Sequence, residues 1–205
     1  MIWSLIRRAV LFELRIYRNL LRWVARRPDT RGGEPFGYAR LITPVLCLFI
    51  FGSAVETVVL HALLPWERIR LAADVLGVWG LLLMLGLLAG VRVHPHLLTS
   101  DALRVRYGGT IDLVLPWGAI ESVVHRRKEL ESSVKTLRET GDELLVPVSN
   151  ETNVRVALRR PTVVRTPRGE REVVAVSFLA DDPKDLVARA KAHLSAPTAE
   201  AAGAA

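Results

Sequence analysis

Cysteine is nearly absent from this chain of 205 residues: Cys47 is the only one. One thiol closes no internal disulfide and supplies no multi-cysteine zinc site, so a secreted disulfide scaffold and a zinc finger are both excluded. Lying within an apolar run, Cys47 reads as a small buried side chain. Lysine is scarce as well, 4 against 24 arginines. The opening residues, MIWSLIRR, lack the unbroken apolar core and the small-residue cleavage site of a signal peptide. There is no Ser-His-Asp order, phosphate loop, HExxH or paired-carboxylate signature, so no catalytic residue, cofactor or metal is expected and the chain does not read as an enzyme.

What is present is unevenly distributed. Half the residues are hydrophobic, while 24% are charged and the net charge is +7. The apolar residues gather between 41 and 93, with the charges on either side. Residues 1 to 27 carry a helical period: Arg7, Arg8, Arg15, Arg18, Asn19, Arg22 and Arg26 share a sector of about 120°, opposite a face of Trp, Phe, Tyr, Ile and Leu. Arginines opposite such a face suit a helix in the headgroup layer of an anionic leaflet. The other reading is that the apolar face packs on the protein itself or on a partner helix. Nucleic acid is a poor partner, because that face is too apolar to be left in water. Residues 28 to 40, rich in Pro and Gly, read as a linker.

Residues 41 to 64 give 24 positions, about 36 Å as a helix, and 71 to 92 form a second apolar segment; each is enough to cross a ~30 Å hydrocarbon core. PWERIR, 65 to 70, would join them as an antiparallel hairpin with an extracellular turn. Residues 1 to 40 hold nine Arg against three acidic residues, and Arg92, Arg104 and Arg106 follow the second span. The positive-inside rule therefore places both termini in the cytoplasm and the chain in the plasma membrane.

After Val93 the period becomes two. In LRVRYGGTIDLVL, 103 to 115, a three-residue loop pairs Tyr107 with Ile111, Val105 with Leu113 and Leu103 with Leu115 on one face, and sets Arg106 across from Asp112 on the wet face. Further strands are expected at 120–125, 143–149, 154–159 and 171–179. The polar stretch 126–142, through Leu130, Val134 and Leu137, reads as a long loop or short helix. DDPKDLVARAKAHL, 181 to 194, reads as a terminal helix with Asp at its cap, and 195–205 as a disordered tail.

Strands closed by one C-terminal helix over about 100 residues is the order of a pleckstrin-homology-like (PH-like) domain. LLTSDALRVRYGGTIDLVLPWGAIESV, 97 to 123, resembles the opening of bacterial PH-like domains: a strand entering a turn with Asp, a hairpin, then Pro-Trp before an Ile-x-x-Val strand. The span 41–194 is also similar to a group of actinobacterial two-span membrane proteins, through AVETVVLHALLPW, LGVWGLLLMLGLLAGVRVHPH and LADDPKDLV. The resemblance implies an α+β fold, a transmembrane helical hairpin preceded by an amphipathic helix and followed by a cytoplasmic PH-like β-barrel or sandwich at 97–194. It transfers no activity.

Three polar groups stand inside the apolar segments. Glu56 lies about 5 Å from the midpoint of 41–64 and level with Gly77 to Gly80 of the second segment. An ionised carboxylate there costs roughly 2.5–3.5 kcal/mol, so it should face protein, be protonated, or both. Gly52, Ser53 and Glu56 share a helix face, and Gly77 and Gly80 would let backbones approach. Glu56 then hydrogen-bonds across the helix pair or a dimer interface, handles protons or ions, or is only snorkelled. His61 and Asp74 stand at equal depth and would clamp the turn, with pH sensing as the sharper alternative. Gly86 and Gly90 form a GxxxG that hints at dimerisation. His94 and His96 project to one side of an extended VHPH segment, but two ligands are not a metal site. The expected partners are the anionic inner leaflet, another protein and further copies of the chain. The expected role is a non-catalytic binding or scaffolding module, or alternatively a small oligomeric transport or proton-coupled unit using Glu56.

Overall fold

The computed structural model describes residues 2–133 and 135–195, without the side chains of Ile2, Ser4, Leu5 and Arg8. The Arg8 side chain, Val134 and most of the expected tail thus lie outside the described residues. The chain divides into two compact units: one is formed by 1–29 and 39–94, the other by 30–38 and 95–205.

The first unit is three helices, α1 (Ile2–Val24), α2 (Thr43–Leu63) and α3 (Glu67–Val93). Pro44 stands in the first turn of α2, where its missing N–H costs nothing. Leu64, held extended before Pro65, ends the helix. α3 starts at Glu67, so Glu67 to Arg70 form its first turn and not part of a loop; a carboxylate at a helix N-terminus complements the macrodipole. Both α2 and α3 are long and apolar enough to cross a membrane. They pack antiparallel, with contacts at Thr43–Arg92 (3.5 Å), Ser53–Met84 (3.8 Å) and His61–Asp74 (2.8 Å). α1 packs on α3 in the parallel sense: Glu13 meets Trp79, Ile16 meets Gly86 and Asn19 meets His94. Cys47 is exposed on α2, contrary to the burial expected of it, because it lies off the face that α2 turns to α3.

The second unit is α+β. Its first sheet is wholly antiparallel in the order β1 (Glu34–Phe36), β2 (His96–Leu98), β3 (Ala102–Tyr107), β4 (Ile111–Pro116). The second sheet comprises β5 (Ile120–Glu129), β6 (Arg138–Thr140), β7 (Glu143–Val146), β8 (Glu151–Thr166) and β9 (Gly169–Phe178), ordered β5-β8-β9-β7-β6. Here β7 and β9 run parallel and the other pairs antiparallel. The two sheets share no ladder, so the barrel alternative gives way to two open sheets. Between them lies one core, built from Leu103, Leu113, Val123, Val156, Val176 and Phe178 and closed by Leu186, Val187 and Ala190 of α4 (Pro183–Ser195).

Local sequence explains these elements. The β3–β4 register pairs Leu103 with Leu115, Val105 with Leu113 and Tyr107 with Ile111. That is the three-residue loop, with Gly108 and Gly109 at positive φ, where a Cβ would be strained. Asp182 caps α4 by accepting the N–H of Asp185 at 3.1 Å. Trp117 donates its Nε1–H to the Thr99 carbonyl at 2.9 Å and stacks on His193 at 4.7 Å, which ties α4 to the sheet edge. Two short strands, β1 and β6, were not expected, while β2 stands where the resemblance places a strand before the turn with Asp101. β1 falls within the presumed linker, so residues 30–38 belong to the β unit.

Candidate functional site

Within the helical unit the expected polar groups part company. His61 Nδ1 and Asp74 Oδ2 meet at 2.8 Å across the α2–α3 turn. Glu56 meets nothing: it is exposed on α2 and has neither a hydrogen bond nor an ion pair among the described residues. Thr43, Ser53, Thr57 and His61 of α2 touch α3. At 100° per residue the centre of this face lies more than a quarter turn from Glu56. Ser53 therefore points inward while Glu56 and Gly52 point outward.

The glycines divide as sharply. A Cβ on Gly77 would lie 2.3 Å from Thr57 Oγ1, so Gly77 permits the close approach of α2 and α3. Gly52 and Gly80 face open space. Gly86 faces neither α2 nor a free surface; a Cβ there would lie 2.1 Å from Ile16 Cγ2 and 3.0 Å from the Ile16 carbonyl oxygen. Gly90, one turn on, is also buried. Gly86 of this GxxxG thus receives α1.

That packing divides α1 into three faces where the periodicity shows two. Ile16 and Asn19 are buried, and the Glu13 carboxylate accepts the indole N–H of Trp79 at 3.1 Å. Trp3, Ile6, Val10, Leu14, Leu21 and Val24 make an exposed apolar stripe. Arg7, Arg18, Arg22 and Arg26 flank it, also exposed, with Arg15 half-buried. Asn19 leaves the arginine sector to which its position assigns it. Its Oδ1 lies 3.0 Å from His94 Nε2, and the other ring nitrogen of His94 lies 3.6 Å from Asp29. No sequence motif signals this trio, which joins α1, the chain after it and the end of α3.

In the β unit, His96 is fully enclosed. Its Nε2–H donates to the Leu179 carbonyl at 2.8 Å and its Nδ1 accepts the Arg106 N–H at 3.0 Å. Both nitrogens are engaged in the neutral ring, and burial above all pushes its pKa down to about 4. Tyr38 lies on it at 4.7 Å, and Phe178 meets its other side edge-on. Burial raises the Tyr38 phenol well above its usual range. Its oxygen accepts the Gly108 N–H at 2.8 Å. Arg106 does not lie on a wet face: it stands opposite Asp112 in register but is only 2% exposed. Asp112 is clasped by Arg104 instead, at 3.1 and 2.6 Å. Replacing Tyr38 with Phe is expected to leave the Gly108 N–H without an acceptor, costing about 1–2 kcal/mol. Faster amide exchange at Gly108 than in the parent would register it.

No group of three or more His, Cys, Asp or Glu is placed to hold a metal among the described residues. His94 and His96 are each engaged within their own unit, so the VHPH segment presents no free chelating pair. A shallow open cleft lies beside Tyr107, Lys135, Arg138 and Asn150. Its arginine is held by the loop itself, through the Glu131 and Ser133 carbonyls and Asn150 Oδ1, and is not presented to a ligand. No protein family, curated protein or solved structure matches this chain.

Proposed function

We propose that this chain is a two-span plasma-membrane protein, with both termini cytoplasmic, that holds a non-catalytic PH-like binding module at the inner leaflet. The observation that carries the reading is the surface of the helical unit. No residue of α2 is buried, and Leu48, Phe49, Phe51, Val58 and Leu63 are all at least 60% exposed. Surfaces of this kind are costly in water and at rest in acyl chains. The stripe of α1, flanked by arginines, adds a second lipid-facing surface suited to anionic headgroups. Two sheets around a core closed by a C-terminal helix support the PH-like part, and its partner is another protein.

Glu56 supports a second reading, a small oligomeric proton-coupled unit, because an outward carboxyl in such a helix is a group that could carry protons. The chain is expected to stay in the pellet after alkaline carbonate, and a reporter fused after Ala205 to remain inaccessible from outside intact cells. Extraction by carbonate or outside labelling overturns the first reading. A proton-dependent flux that is lost in Glu56→Gln would favour the second.

A further inference from the structure

We infer that α2 pairs with α2 of a second copy of this chain through the face carrying Gly52 and Glu56, the two carboxyls bonding to each other. The inference rests on the membrane reading above and adds the partner and the contact. Val45, Phe49, Gly52, Glu56, Val59 and Leu63 recur at alternating steps of four and three and are all exposed. A step pattern of 3.5 residues keeps one seam facing a neighbour along a left-handed helix pair. This seam lies away from the residues that touch α3, so each copy's own hairpin leaves it open.

Lipid does not satisfy this face. A carboxyl turned to acyl chains keeps its polar atoms unpaired, whether it is charged or neutral. The protein that covers it must bring a donor and an acceptor to the depth of Glu56. A protonated carboxyl is both at once, and two-fold symmetry between parallel helices puts Glu56 of each copy at one depth. Two reciprocal O–H···O=C bonds then close the pair. Gly52, one turn away and with nothing within 4 Å of an added Cβ, lets the backbones come close enough for it.

The chain carries its own control. Cys47 precedes Glu56 by nine residues, half a turn around the helix, and is exposed. In native membranes, oxidation of the full chain bearing Cys47→Ser and Val59→Cys is expected to yield a disulfide-linked dimer, while the parent with Cys47 alone yields little. Glu56→Gln, still donor and acceptor, should retain the dimer. Glu56→Leu and Gly52→Ile should each lower its yield by about tenfold, the scale of one or two intramembrane hydrogen bonds. Equal yields from Cys47 and Val59→Cys, an unchanged yield in Glu56→Leu, or crosslinking only to a species of another mass overturns the pairing. Chain lost to carbonate refutes the membrane reading itself; chain retained without the Val59→Cys dimer refutes the pairing alone.

Discussion

His96→Ala is expected to destabilise the β unit by about 4 kcal/mol. The substitution opens a cavity under Tyr38 and Phe178, for which large-to-small core changes cost about 2–5 kcal/mol. It also strands the Arg106 N–H and the Leu179 carbonyl in a dry interior. The same residue sets a pH dependence. Its folded pKa of about 4 lies below the model-peptide value of 6.5, so the unfolded chain binds a proton that the folded chain refuses. Stability is full above pH 6.5, falls as pH drops through the window, and levels off below about 4. The total is about 3 kcal/mol, at about 1.4 kcal/mol per pH unit. Asp101, held below the usual carboxylate range by the Thr99 hydroxyl, titrates beneath that window. Native-state amide exchange in β3 and β9 of the full chain, between pH 7 and 4.5, measures both effects. A parent whose opening free energy is flat over that range, or a His96→Ala variant with the parent's slope, refutes the assignment.

Gly86→Leu is expected to detach α1 from α3. The first carbon of any side chain there already collides with Ile16 Cγ2 and approaches the Ile16 carbonyl oxygen, so a rotamer change alone does not make room. Overpacking of this kind costs about 3 kcal/mol or more. Gly80→Leu, where an added Cβ meets nothing within 4 Å, should be nearly neutral. Thermal unfolding of the full chain in detergent compares the two. Ile16→Ala should recover part of the loss in a Gly86→Ala background, as coupled neighbours do. Equal effects at Gly80 and Gly86 would mean that α1 does not seat on this glycine.

Some of this was written plainly in the chain. Alternation and two glycines fix the β3–β4 register, because a slip by one residue would turn Leu103 and Leu113 outward. Asp182 and Pro183 mark the start of α4 through local backbone chemistry alone. His61 and Asp74 meet because equal depth in an antiparallel pair is a matter of counting. What stayed hidden depends on partners distant in sequence. Periodicity places Asn19 beside arginines, yet only α3 decides that this edge of α1 is buried. A GxxxG announces close packing without naming the helix that arrives, and at Gly86 it is α1. Arg106 reads as solvent-facing in a hairpin taken alone, yet it is buried once the rest of the chain has folded. β1 escaped because three residues among prolines and glycines carry no period, and only β2 gives them a ladder to join.

That strand also governs the order of assembly. Residues 30–38 are synthesised before the helical hairpin and the remaining strands after it, so the β unit encloses a detour of more than fifty residues between two of its neighbouring strands. The outermost ladder closes only once α2 and α3 have been made. A fragment starting at Pro95 would leave the edge of β2 bare and His96 without its tyrosine lid, so the globular half of this protein cannot be cut cleanly from the helices that interrupt it.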